Sequence, residues 1–345
     1  MKVVKDLYNH RISISGLNLL AKSPRAYKKY IEDPRDEESE ALRKGSALDC
    51  MLTEPEEFIN RYAIAENTPP GGMMGEFVRH YLTYKQAAVD KDCAEDSYME
   101  EEIRKMAYKA SGFKIKLEAV IKKFEADDVQ KYITFIKNSK GKTILSPMEY
   151  ASALGMKEML LNNDVTKKYL VDLPANPMIT SYDQMEIIWY TQGYKCKSIL
   201  DKVLIMHEDK EIIPMDIKTT SKGVGNFIQS FIKFGYFRQC SFYRDAIEYW
   251  LYNESGLEDP ESWTIQPFKF IVADSTLNDF PLVYIATDKD LKIGKFGGNI
   301  KGSIKPIQGW SELIDDLSWY QSSRDWRYKK EFHKHSLEVP IDLFE

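Results

Sequence analysis

Two carboxylates and one amine stand out for their spacing. Asp201 closes the run Lys197-Ser-Ile-Leu-Asp201, and Asp216 and Lys218 lie in Pro214-Met-Asp216-Ile-Lys218-Thr-Thr220. The polar stretch His207-Glu-Asp-Lys210 separates two runs rich in Ile, Val and Met. Such a pattern reads as a β-hairpin. A turn centred on Glu208 and Asp209 sets Asp201 opposite Asp216 on antiparallel strands, with side chains on the order of 5 Å apart. Period-two geometry puts Asp216 and Lys218 on one face and Ile213, Met215 and Ile217 on the other. Two carboxylates this close repel unless a cation joins them. All-oxygen ligation suits Mg²⁺, with Mn²⁺ as a substitute. Such an ion polarises a phosphoryl oxygen and acidifies a bound water, and Lys218 can orient that water or neutralise developing charge. Taken alone, Asp-x-Lys is equally an ion pair on a strand surface, and Pro214 implies an edge or an irregularity there.

Gln239 and Tyr243 fall at i and i+4, on one helix face. Beside the apolar Phe242, Ala246 and Tyr249 they can reach into a site, or belong to an ordinary amphipathic helix.

The elements that must position these groups follow from periodicity. Residues 12–31 read as a helix broken at Ser23-Pro24, and residues 41–53 as another ended by Glu54-Pro55. Residues 32–40 are charged and suit an exposed loop; Pro69-Pro-Gly-Gly72 suits a flexible segment. From about 76 to 170 the pattern is mostly helical. Lys114, Lys116, Lys122, Lys123, Lys131, Lys137, Lys140 and Lys142 there form either a solvated face or a phosphate-contacting arm. From 179 the character changes. Glu186–Tyr190, Tyr194–Met206, Ile212–Thr219, Phe268–Ala273 and Leu282–Ala286 read as strands. Helices are expected at 223–234, 238–252 and 310–330.

Composition sets the outer bounds. The chain has 345 residues and 43% hydrophobic content, enough for a substantial core. No stretch approaches the length of a membrane span, and Met1-Lys-Val-Val-Lys-Asp6 has no apolar signal core, so an intracellular, cytoplasmic protein is expected. The net charge of −5 leaves a nucleic-acid partner open, because a basic groove is a local feature. Cys50, Cys93, Cys196 and Cys240 lack zinc-ribbon spacing and are expected to stay reduced. His333 and His335 read as a solvated tail.

The order Gly45-Ser-Ala-Leu-Asp49, Glu186, Asp201, Asp216-Ile-Lys218 and Gln239-x-x-x-Tyr243 resembles the PD-(D/E)xK nuclease superfamily, and within it the RecE-type exonucleases of phages and prophages. Ile14-Ser-Gly-Leu-Asn-Leu-Leu-Ala-Lys-Ser-Pro24 is similar to that family's opening helix. Arg43 to Asp49, Glu54-Pro-Glu-Glu-Phe58 and Phe234-Gly-Tyr-Phe-Arg-Gln239 are similar to further family segments. The likeness spans roughly 12–60 and 140–290. It implies one α/β nuclease domain over 1–345: a mixed central sheet flanked by helices, a helical insertion at 76–170 and a catalytic core at 179–290. It implies Asp49, Asp201, Asp216 and the Ile217 carbonyl as Mg²⁺ ligands, Lys218 beside the attacking water, and Gln239 and Tyr243 lining the site. Glu186 is either a further site carboxylate or solvent-facing. The implied activity is ATP-independent 5′→3′ digestion of linear duplex DNA, leaving 3′ single strands, by a homo-oligomeric ring that works with a single-strand annealing protein in a phage or its bacterial host. Asp49 stands where the family usually has His. No cysteine follows Cys240, which excludes the iron–sulfur branch. A repair or restriction-type endonuclease on the same fold, a DNA-end-binding protein that does not cut, and an unrelated α/β protein are the alternatives.

Overall fold

A computed structural model describes residues 7, 10–33, 39–65, 70–89, 97–300, 306–333 and 337. Parts of the expected loop at 32–40 and of the Pro69–Gly72 segment, together with Cys93 and His335, lie outside them. The chain divides into two compact units, residues 1–54 with 153–345, and residues 55–152. The expectation was one domain with a helical insertion at 76–170; the second unit is shorter at its C-terminal end.

The larger unit is mixed α/β. Its sheet comprises β1 (Ile179–Thr191), β2 (Tyr194–Met206), β3 (Glu211–Thr220), β4 (Thr264–Ile265), β5 (Lys269–Asp274) and β6 (Leu282–Ile285). The order is β1-β2-β3-β5-β6, with β4 also pairing β3. The β1/β2, β2/β3 and β5/β6 pairs are antiparallel; β3 runs parallel to β4 and β5. The β1–β2 turn is made by Gln192 (φ 49°) and Gly193 (φ 79°). Two successive positive φ values match the right-handed twist of a two-residue hairpin. In the β2–β3 hairpin Lys202 pairs with Met215 and Met206 with Glu211, the register of a turn centred on Glu208 and Asp209.

Helices cover both faces. On one, Leu17 and Leu20 from the Ile14–Lys22 helix, Phe242 and Ile247 from the Tyr236–Asn253 helix, and Leu313 and Leu317 from the Trp310–Ser323 helix pack on Ile187, Val203, Phe270 and Val272. On the other, Leu48 of the Glu40–Thr53 helix and Met156 and Leu160 of the Pro147–Asn162 helix meet Leu204, Ile213, Met215, Ile217 and Ile271. Full burial of each such side chain is worth about 1.5–3 kcal/mol over exposure. Ser13 and Ser23 cap the first two helices, accepting from Gly16 N and Ala26 N. Ser23 therefore ends one helix and begins the next. Gly294 lets the Asp288–Phe296 helix touch the Tyr236–Asn253 helix, for a Cβ there would lie 2.0 Å from the Phe237 carbonyl oxygen.

The smaller unit is helical apart from two short parallel strands, Tyr62–Ile64 and Thr143–Leu145. Its core joins Phe77, Tyr81, Ile103, Val120 and Phe124. Lys114, Lys116, Lys122, Lys123, Lys131, Lys137 and Lys140 are exposed, whereas Lys142 donates to the Ile59 carbonyl. Cys50, Cys196 and Cys240 are buried free thiols. No helix among the described residues is long and apolar enough to cross a membrane.

Candidate active site

Side-chain alternation inverts at one place in the sheet. On β1, Met185, Ile187 and Trp189 face one core but Ile179 the other; on β2, Cys196 and Leu200 face the first and Leu204 and Met206 the second. Strict period two would keep each set on one face. The ladder omits the pair between these groups, Gln184 and Asp201, and Gln184 has φ 49°. A non-glycine residue held there costs on the order of 1 kcal/mol. The β2/β3 ladder also ends at Lys202 and Met215, one step before Asp201 and Asp216. Asp201 thus loses ladder pairing to both neighbours. Its carboxylate Oδ2 instead accepts from the Ile217 amide at 2.7 Å.

Asp216 is 1% exposed. Its Oδ1 accepts from Gln239 Nε2 at 2.8 Å and its Oδ2 pairs with the Lys218 ammonium. The Lys218 amine also lies 5.0 Å from the Tyr236 ring centroid. Tyr243, one helical turn beyond Gln239, is buried and packs on Phe268. Burial, followed by the charge of Asp216, raises its phenol.

The third carboxylate arrives from the Glu40–Thr53 helix. Gly45 of this helix lies against β3, where a Cβ would sit 3.4 Å from Thr219 Oγ1, an ordinary contact distance. Asp49 follows one turn later, on the same helix face. Its Oδ2 accepts from Gln184 Nε2 at 2.8 Å. Its Oδ1 is buried without a hydrogen-bond partner.

The electrostatics are those of crowded anions around one cation. Burial first, then the Asp216 charge, push Asp49 up to about 6. Burial, Asp216 and Asp49 hold Asp201 well above the ordinary carboxylate value. Burial opposes the Lys218 ammonium, but Asp216 and Asp201 outweigh it and raise its pKa.

Asp49, Asp201, Asp216, Lys218, Gln239 and Tyr243 are therefore brought together, with the Ile217 peptide between them. Glu186 is not: it is exposed and pairs with Lys197 and, at 3.7 Å, with Arg11. Beyond the inversion at Gln184 its side chain belongs to a different neighbourhood. Gln184 is the site residue that sequence reasoning missed, because nothing in Ser181-Tyr-Asp-Gln184 signals a left-handed residue inside a strand.

Among the described residues no group of three or more His, Cys, Asp or Glu stands ready to hold a metal ion. The cation at the centre is Lys218. The donor set nevertheless fits a hard divalent ion. It is all oxygen, its carboxylates raise one another's pKa values, and Asp49 Oδ1 lacks a partner. Asp49, Asp201 and Asp216 would hold such an ion once Lys218 turned from Asp216.

No family model and no curated protein matches the sequence. Among solved structures the chain is similar to a crystal structure of a "Putative exonuclease" from Eubacterium rectale, with 11% identity, a TM-score of 0.44, and 100% of this chain and 97% of that one covered.

Proposed function

We propose that this chain is a metal-dependent nuclease of the PD-(D/E)xK kind that hydrolyses the DNA backbone. The observation that supports it is the meeting of Asp49, Asp201, Asp216 and Lys218 from one helix and two strands, with the hairpin aspartates adjacent in register. In this reading Asp49, Asp201, Asp216 and the Ile217 carbonyl hold Mg²⁺ or Mn²⁺. The bound ion would polarise a phosphoryl oxygen and acidify a water. Gln239 fixes the Asp216 carboxylate through Oδ1. Lys218, released from Asp216, orients the attacking water or meets charge growing on the phosphoryl oxygens. Tyr236 and Tyr243 wall the site with apolar surface, which strengthens these interactions by excluding water.

The ordered motifs, from Gly45-Ser-Ala-Leu-Asp49 to Gln239-x-x-x-Tyr243, favour a RecE-like activity: digestion of linear duplex DNA from the 5′ end without ATP, leaving 3′ single strands for annealing. A homo-oligomeric ring and a single-strand annealing partner belong to the same proposal. The test is incubation of 5′- or 3′-labelled linear duplex and of closed circular duplex with Mg²⁺, Mn²⁺ or chelator. The expected result is metal-dependent loss of linear DNA from its 5′ ends, with circles spared. No cleavage in either metal overturns the nuclease reading; equal cleavage of circles replaces the exonuclease with an endonuclease.

A further inference from the structure

A second feature of the larger unit shares no residue with the carboxylate centre. The turn after the Trp310–Ser323 helix packs against the Pro24–Glu32 helix through an aromatic sandwich. The Trp326 ring stacks on Tyr27 at 5.9 Å and 7°, and on Tyr320 at 5.2 Å and 25°. Both tyrosines are pinned: Tyr27 Oη is 2.6 Å from His10 Nε2, and Tyr320 Oη accepts from the Lys330 amide at 2.7 Å. Arg324, at φ 58°, ends its helix and turns the chain into the sandwich.

Beside the sandwich lies an open surface cleft of about 460 Å³ lined by Arg25, Lys28, Arg324, Asp325, Trp326 and Arg327, together with a serine. Its charge is opposite in sign to the net −5 of the whole chain. Asp325, the lining carboxylate, is already satisfied: it accepts from Arg327 Nε at 3.0 Å, Nη2 at 2.8 Å and the Arg327 amide at 3.1 Å. Among the described residues Lys28 pairs with Glu32 alone, 3.7 Å away and half-exposed. Arg25 and Arg324 have no ion-pair partner among the described residues. Trp326 is 4% exposed, and its buried Nε1–H has no acceptor.

We infer that this cleft binds a phosphate oxyanion. Unpaired guanidiniums beside the Lys28 ammonium match tetrahedral phosphate oxygens, and the stack packs the turn that follows Arg324 against the helix that carries Arg25 and Lys28. That phosphate belongs either to a nucleic-acid backbone or to a free phosphate, and the experiment separates the two.

The probes are inorganic phosphate, followed by calorimetry, and a fluorescein-labelled oligonucleotide, followed by anisotropy. Both are used with chelator, so that the outcome does not depend on the carboxylate centre. The double variant Arg25→Ala, Arg324→Ala removes two exposed side chains; Lys22→Ala, Lys29→Ala, one on the preceding helix and one on the Pro24–Glu32 helix but outside the cleft lining, is the control. The inference predicts binding at least about tenfold weaker in the arginine variant than in the control, with the salt slope of oligonucleotide binding reduced by about 2. Weakening with both probes assigns the cleft to the nucleic-acid backbone; weakening with phosphate alone assigns it to free phosphate. An arginine variant that matches the control with both probes overturns the inference.

Discussion

Asp216→Asn will leave a folded protein whose metal-dependent cleavage of linear duplex DNA falls by about 10³-fold or more. The asparagine keeps the side-chain shape, and its Oδ1 still accepts from Gln239 Nε2, which lies 2.8 Å from the present Oδ1. What it removes is the anionic oxygen that now faces Lys218. Asp201→Asn is expected to behave alike, since its amide oxygen can take the place of the Oδ2 that accepts from the Ile217 amide at 2.7 Å. The loss is in charge and not in packing, so circular dichroism should be unchanged while product release from labelled duplex drops to background. Wild-type cleavage by folded Asp216→Asn would mean that the reaction takes place elsewhere.

Lys218→Met tests the other half of the pairing, through stability. Asp216 is almost completely buried, beside the carboxyl groups of Asp201 and Asp49. Deleting the only cation of a buried pair costs about 3–5 kcal/mol, a fall in melting temperature on the order of 10 °C for a unit of this size. Added Mg²⁺ should restore much of the loss, because a divalent ion can replace the ammonium among the same carboxylates. Asp49→Asn should move the opposite way. Asp49 titrates near 6 in the fold against 3.8 ordinarily. The native state therefore binds more protons between these values, and stability falls as pH rises through them. Above that window the ionised carboxylate carries a penalty of about 3 kcal/mol. Asparagine removes it, so metal-free Asp49→Asn should melt higher than wild type at pH 8 and gain less from Mg²⁺. Calorimetric melting with and without Mg²⁺ measures both. If Lys218→Met melts at the wild-type temperature without metal, the carboxylates are not coupled as described.

The hairpin was legible because its two strands carry dense Ile, Val and Met runs on either side of a four-residue polar turn. Tyr194–Met206 has the boundaries that its pattern predicts, and the register follows from the turn. Asp49 was named only through the resemblance carried by Gly45-Ser-Ala-Leu-Asp49, and it is the fold that brings its carboxylate to Gln184. The N-terminal half of β1 was hidden: Thr180, Ser181, Asp183 and Gln184 are polar and read as loop, so the strand was expected to begin at Glu186 and not at Ile179. Glu186 was named through the resemblance, as either a further site carboxylate or solvent-facing; beyond the inversion at Gln184 it is exposed and paired with Lys197 and Arg11. The short strands Tyr62–Ile64 and Thr143–Leu145 hold three residues each, too few for any period to show.

The most direct measurement is anomalous scattering from crystals of the protein soaked in Mn²⁺. The account predicts a peak bounded by Asp49, Asp201 and Asp216, with the Lys218 amine withdrawn from Asp216. Mn²⁺ ordered elsewhere while Lys218 stays on Asp216 would contradict it.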